Sequence, residues 1–263
     1  MKNYGLQFDK IQEQDYYLGG GFIGTQEVQP NGQWDAFLPP EEIQNTNDVE
    51  TMNCTVFGTI NAIEILFNKL FYEARSFSER FVGVLANTNP SGNSPHVVAE
   101  TIRKNGLIDD TELPFDETID TWDKYYSPKP MIRKYLKQGK IFLQEYEFKH
   151  EWVFKTGSLE EKIVMIKEAL KRGPVGASVY AWSCDENGIY YKAGPENHWI
   201  CIYGFREDIH CWKVFDSYTQ SYKLYSFYSD ISMAKVYWLK KTGLRHSNLW
   251  LSLFHLLFDR FII

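Results

Sequence analysis

The chain has 263 residues, 44% of them hydrophobic and 24% charged, which is enough apolar material for a sizeable core and excludes a disordered chain. Its 28 lysines and arginines are outnumbered by 34 aspartates and glutamates, a formal charge of −6, so there is no basic field to hold a phosphate backbone and nucleic-acid binding is set aside. Aromatic residues make up 16%, which fits aromatic-rich strands and core and assigns no function by itself.

Residues 1–40 alternate short apolar groups with Gly, Asn and Pro (LGGGFIG, QPNGQWDAFLPP) and read as turns and brief strands, an arm laid over the body. From about 54 to 74, Phe57, Ile60, Ile63, Phe67, Leu70 and Phe71 recur at helical spacing behind Asn53 as N-cap, which predicts a buried central helix. The stretch SERFVGVLANTNPSGNSPHVVAETIRKNGLIDD carries two shorter helical patterns; Ser94 and Pro95 start the second, and Asn105 and Gly106 stop it. Residues 120–155 are mixed, and 159–173 form an amphipathic helix closed by Gly173. Strands follow in PVGASVYAW, GIYYKAG, HWICIYGF, CWKVFDSY and MAKVYWLK. A helical half followed by an antiparallel β half reads as α+β.

Four cysteines, Cys54, Cys184, Cys201 and Cys211, show no CxxC spacing, and MKNYGLQFDKIQEQDYYLGGG has no apolar run behind its first lysine. Reduced thiols, no export by the standard signal-peptide route and a cytoplasmic location are therefore expected. A zinc site from Cys201, His210 and Cys211 fails because adjacent strand residues point to opposite faces and a fourth ligand is missing. No metal and no cofactor is called for.

Cys54 stands where an irregular stretch gives way to the long helix, and a helix start favours negative charge through its free N–H groups and aligned dipoles. A catalytic cysteine needs its pKa lowered, because a free one is only a few per cent thiolate near neutral pH. His198, in NHWICIYGF, could add Coulomb attraction as an imidazolium, and Asp216, in KVFDSY, could hold the other ring nitrogen and fix the ring's orientation. The three occur in the order Cys, His, acid. His198 lies roughly 140 residues beyond Cys54, close to the ~130 to 150 between nucleophile and downstream partners in one large class of thiol enzymes.

At these residues the chain resembles the papain-like cysteine peptidases, of a non-secreted bacterial or viral type. NCTVFGTINAIE is similar to the family's helix start around the nucleophile, and NHWICIYGF to its histidine strand. ETIRKNGLIDDTELPFD is similar to its helix, NG turn and following segment, and GPVGASVYAW through GIYYKAG to its GPV strand and GIY hairpin. The resemblance covers roughly residues 36–240. It implies a two-lobe papain-like fold and hydrolysis of peptide bonds through a thioester on Cys54, with His198 as general acid/base and Asp216 as the orienting residue.

The chain departs from that pattern in several places. Asp216 replaces the usual asparagine, with Ser217 and Tyr218 where Ser-Trp is usual. The oxyanion glutamine normally stands six residues before the nucleophile, where this chain has Asp48, a carboxylate that would repel a developing oxyanion; Gln44, with the Cys54 backbone N–H, is the expected donor and Asn47 the fallback. The CGSC pattern and an ERFNIN-type propeptide are absent, so residues 1–35 are expected to be a permanent arm and 36–243 the peptidase domain. Tyr125, Tyr126 and Trp182 either line a groove or belong to the core.

The tail, residues 244–263, has an uncharged stretch from Ser247 to Leu257 that falls short of the ~20 residues needed to span a bilayer. It is expected to pack on the protein or a partner, or to attach to a membrane surface, or in a virus to accompany the virion. The expected partner is a peptide or protein substrate. Two other readings share these residues: a papain-fold binding module without activity, and a transglutaminase-like acyltransferase.

Overall fold

The computed structural model describes residues 3–12, 15–18, 20, 27–46, 48–127 and 132–242. The apolar tail and Asn47 lie outside the described residues. The mixed α+β architecture divides as expected, with helices first and a sheet after them.

The central helix α1 (Cys54–Phe71) is buried from Cys54 through Phe67, on every face, and is the axis of the core. It is long and apolar enough to cross a membrane, but most of it lies inside the protein. It ends at Tyr72 in the left-handed conformation, whose N–H returns to the Asn68 carbonyl. Two short helices pack on it, α2 (Glu79–Leu85) and α3 (Pro95–Asn105). Each starts at a serine, Ser78 or Ser94, whose side chain accepts from the backbone N–H of Phe81 or Val97. Next come α4 (Trp122–Tyr126), capped by Thr121, and α5 (Ile132–Glu145). The predicted amphipathic helix is α6 (Leu159–Leu170), opened by a reciprocal capping box between Ser158 and Glu161.

The strands are β1 (Tyr146–Trp152), β2 (Val175–Val179), β3 (Ser183–Cys184), β4 (Ile189–Tyr191), β5 (His198–Arg206), β6 (Cys211–Phe215), β7 (Tyr222–Ser226) and β8 (Ala234–Lys241). They form one sheet in the order β1-β8-β2-β5-β6-β7-β4-β3, antiparallel at every pairing except β4 with β7. Strand β2 is buried along its whole length, because it lies between β8 and β5 and beneath α1. Gly58 on α1 permits that approach: a Cβ there would sit 2.9 Å from Trp199 Cδ1 and 3.1 Å from the Ile200 carbonyl carbon of β5.

One large apolar cluster joins α1, α2 and α3 to β2, β5, β6 and β8. A second, smaller cluster holds Leu6, Cys54, Trp152, Trp199 and Met233, with Ile11 and Tyr17 against it. The arm is thus tied to the body at the Cys54 end of α1. Cys201 and Cys211 lie at opposite ends of the β5–β6 ladder, since Cys201 pairs with Phe215 and Cys211 with Arg206. That separation closes the zinc reading on geometric grounds.

Candidate active site

Cys54 is the first residue of α1, but Asn53 does not cap the helix with its side chain. The Asn53 amide instead donates to the Glu79 carbonyl (3.2 Å) and the Tyr125 hydroxyl (3.1 Å), and its oxygen accepts from Thr88 Oγ1 (3.1 Å). The capping expectation is corrected: Asn53 pins the start of α1 to α2 and α4 and leaves the helix's first N–H groups to other partners. Tyr125, fully buried, belongs to the core.

The environment of the sulfur also corrects the sequence reading. Cys54 is wholly enclosed, and burial pushes its thiol well up from the ordinary value. Backbone N–H groups of Trp199 and Thr55 at the sulfur act the other way, while Asp216 and Glu50 add to the rise. In this closed form the thiol keeps its proton. The helix start and the nearby N–H groups are present as expected, but exclusion of water outweighs them.

His198 opens β5, immediately before the Trp199 whose N–H meets the sulfur, and is also fully buried. Its Nε2 lies 2.5 Å from Asp216 Oδ1, while Nδ1 is buried with no hydrogen-bond partner among the described residues. Asp216 follows β6, and its other oxygen accepts from Lys223 Nζ at 2.7 Å. Burial alone would raise the Asp216 carboxyl, but His198 and Lys223 outweigh it and hold it below the usual carboxylate range. The Ser217 N–H adds a third bond to the carboxylate, at Oδ1 (2.9 Å). Lys223, on β7, is buried and also donates to the carbonyl of Gln220 (2.7 Å). Sequence reading missed it because it looks like any solvent-facing lysine of an edge-side strand.

Gln44 is fully buried and reaches the same place by a different route. Its backbone N–H donates to the Ser217 carbonyl (2.9 Å) and its side-chain oxygen accepts from Ser217 Oγ (2.7 Å), so the residue after Asp216 fixes both ends of it. The amide nitrogen is directed at Glu50 Oε1 (2.9 Å), the Tyr218 hydroxyl (2.9 Å) and the Tyr4 carbonyl (3.3 Å). Asp48 is exposed and turned into a local bend. Glu50 accepts from Tyr218 Oη (2.7 Å) and from the Met52 N–H (3.1 Å), stiffening the turn that delivers Cys54. Glu50 and Tyr218 carried no sequence signal beyond their nearness to Cys54 and Asp216.

The arm closes the site. Tyr4 places its ring 5.5 Å from that of His198 and 5.2 Å, edge-on, from that of Tyr218. Its N–H donates to the Asn197 carbonyl (3.1 Å) and its carbonyl faces the Gln44 amide. The next residues pair with the body as a strand would: Asn93 N–H donates to the Gly5 carbonyl (2.9 Å), and Gln7 N–H donates to the Asn93 carbonyl (2.9 Å). Gly92 takes φ +89°, and a Cβ there would overlap the Gly5 backbone, so the close approach needs glycine. Trp182 covers His198 from the other side, edge-on at 5.5 Å.

No protein-family model matches the sequence, and no curated protein does. Solved structures do match. Xylellain, a cysteine protease from Xylella fastidiosa, aligns with a TM-score of 0.59 at 16% identity over 91% of this chain and 96% of that one. Digestive procathepsin L 3 of Tenebrio molitor larval midgut gives 0.55 at 14% identity over 89% and 74%. The clostridial cysteine protease Cwp84 gives 0.54 at 14% over 78% and 56%. With a helix that begins at Cys54, a sheet whose β5 begins at His198, and these neighbours, the chain has the papain-like cysteine protease fold.

Proposed function

We propose that the chain is a cysteine-type peptidase with Cys54 as nucleophile, His198 as general acid/base, Asp216 as the orienting group and Gln44 as an oxyanion donor. The observation that carries this reading is the division of labour on the His198 ring. Nε2 is held at 2.5 Å by a buried carboxylate, and Nδ1 is left without a partner beside the residue that meets the Cys54 sulfur. An orienting group, a fixed tautomer and a free nitrogen are what proton exchange with a thiol requires.

In the reaction the Cys54 proton passes to His198 Nδ1, and the sulfur attacks the carbonyl carbon of the peptide bond. Negative charge on the carbonyl oxygen is met by the Gln44 amide and the Cys54 N–H. Collapse breaks the C–N bond as the imidazolium gives its proton to the leaving amine, which leaves a thioester. Water, deprotonated by His198, attacks that thioester; the C–S bond breaks and Cys54 recovers its proton. Asp216 stabilises the imidazolium, and Lys223 keeps Asp216 ionised while the ring carries charge.

The enclosure of Cys54 makes this a latent form. The Tyr4 carbonyl lies at the Gln44 amide where a substrate carbonyl would be polarised, and the Gly5–Gln7 backbone occupies the edge at Asn93 where an extended peptide would pair. Productive binding requires the arm to leave.

The test is labelling with an epoxysuccinyl inhibitor of thiol peptidases, mapped by mass spectrometry in the full chain and in Tyr4→Ala. A single adduct at Cys54, faster in Tyr4→Ala and lost in His198→Ala, is the expected result. A folded Tyr4→Ala protein that takes no label would favour the inactive binding module instead. Transfer of an acyl group to an added amine in preference to water would favour the acyltransferase.

A further inference from the structure

At α1, three glutamates from three segments converge. Glu42 lies in the segment before α1, Glu64 in the third turn of α1, and Glu79 is the first residue of α2. One carboxylate oxygen from each lies within 4.8 Å of the others. Glu64 is 1% exposed and Glu79 3%. Glu64 Oε1 accepts from the Phe77 N–H (2.7 Å), and Glu42 Oε1 accepts from Ser76 Oγ (2.7 Å). Among the described residues no hydrogen-bond partner reaches Glu64 Oε2 or Glu79 Oε1, both buried.

The charge around them has one sign. The side chains acting on Glu64 are Glu42 and Asp110, and those acting on Glu79 are Glu42 and Glu64. The adjacent guanidinium, Arg80, is turned away to the carbonyls of Tyr125, Pro114 and Lys124. Buried carboxylates this close cannot all ionise without a counter-charge. Protons or a cation can supply it.

We propose that Glu42, Glu64 and Glu79 form a binding site for a hard divalent cation, Ca²⁺, with Asp110 at its rim. The donor set is oxygen only, which suits calcium and no softer metal. Oxygens that bind calcium at ~2.3 to 2.6 Å lie no more than about 5 Å apart, which the three carboxylates satisfy as they stand. A cavity of about 370 Å³ bordered by Glu42, Glu79, Asp110, Asn45 and Thr46 leaves room for the water molecules that complete six to eight ligands. The two partnerless oxygens are the ones a bound ion would engage.

The ion would fasten three pieces of the site's scaffold. Glu42 stands two residues before Gln44, Glu64 is on the helix that Cys54 opens, and the Glu79 carbonyl receives the Asn53 amide just before Cys54. Its role is structural, and it does not depend on Cys54 being a nucleophile.

The test uses the full chain, stripped with EDTA and dialysed. Thermal unfolding is followed with Ca²⁺ or Mg²⁺ added, together with Tb³⁺ luminescence and its displacement by Ca²⁺. Millimolar Ca²⁺ is expected to raise Tm by about 5 °C or more, with one Tb³⁺ bound per chain and released by Ca²⁺. Glu64→Gln and Glu79→Gln should each abolish the Ca²⁺ dependence. If either fails to fold, Glu42→Gln at the half-buried rim should weaken Ca²⁺ at least tenfold in a folded protein. A Tm identical in EDTA and Ca²⁺, with no displaceable Tb³⁺, would overturn the site and leave the carboxylates sharing protons. A response to Mg²⁺ but not to Ca²⁺ would overturn the choice of ion.

Discussion

At the residue scale, Asp216 and Lys223 act as a pair, and their coupling decides what a conservative change does. Replacing Asp216 by Asn keeps an oxygen for His198 Nε2, so the ring keeps its orientation, as in Cys-His-Asn sites, and turnover should fall only modestly. The same change strands the Lys223 ammonium, which is buried and otherwise held by carbonyls. Breaking a buried ion pair on one side costs about 3–5 kcal/mol. Asp216→Asn should therefore be far more damaging to stability than to activity, and adding Lys223→Met should restore much of the loss. Chemical denaturation of the single and double variants, beside their rates, checks this; equal losses in both quantities would show that Lys223 is incidental. For Gln44, truncation to Ala removes the amide at the Tyr4 carbonyl and should lower turnover about 10²-fold with little change in KM. An unchanged rate would transfer the oxyanion role to backbone groups alone.

At the element scale, the arm is the part whose removal should matter most. Tyr4 contributes its ring to the cover over His198 and its carbonyl to the Gln44 amide, while Leu6 and Ile11 pack beside Cys54. Tyr4→Ala leaves the backbone bonds at Asn93 and opens the roof, so iodoacetamide should reach Cys54 at least tenfold faster in a protein that still unfolds cooperatively. Equal rates would mean that Trp182 and Tyr218 alone seal the site. The sequence announced an arm over residues 1–40 but not where it lies, because strand-like pairing at Asn93 depends on Gly5 and Gly92, whose backbones approach only after folding. Helices α1, α2, α3 and α6 were legible from apolar spacing, and the start of α3 from Ser94 and Pro95, whereas the caps at Ser78 and Ser158 emerge only in the structure. Strands β1 and β7 were not: YEFKHEW is rich in charge and YKLYS is short and mostly polar, and they are strands because β8 and β6 offer free edges to pair with. His198 and Asp216 were legible as a pair through order and spacing, whereas Lys223, Glu50 and Tyr218 act only through contacts between residues far apart in the chain or made on folding.

At the scale of the whole molecule, the least legible residue is Lys235. In MAKVYWLK it looks like a strand lysine facing water, but it is 1% exposed, because β1 covers β8 on one side and the arm closes over both. Its ammonium lies 3.7 Å from the centre of the Trp152 ring and 3.2 Å from His150 Nδ1, and His150 Nε2 reaches Glu100 (3.1 Å). The groups that face it come from three elements: Asp9 and Asp15 on the arm, His96 and Glu100 on α3, His150 and Trp152 on β1. Burial dominates and brings the Lys235 pKa down to about 7, despite the three carboxylates acting the other way. An unfolded lysine titrates near ~10.4, so between about pH 7 and 10 the unfolded Lys235 binds a proton that the folded one does not, and the contribution of Lys235 to stability rises with pH across that window. A difference of about three pKa units corresponds to something on the order of 4 kcal/mol. Below pH 7 the full cost is present; His150, held down at about 4 by burial and by Lys235, adds a further loss as pH falls from about 6.5 toward 4. Lys235→Met keeps the packing against Trp152 and removes the titration. Its unfolding free energy should fall progressively behind that of the parent from pH 7 to 10, while the thiols of Cys54 and Cys201, which burial pushes up, contribute the same falling term to both proteins. Removing the donor to His150 costs about 1–3 kcal/mol at every pH in that window, so the slope, not the absolute stability, is the measurement. Parallel slopes in the two proteins would mean that Lys235 keeps its charge throughout, and that the arm's aspartates neutralise it as a buried ion pair.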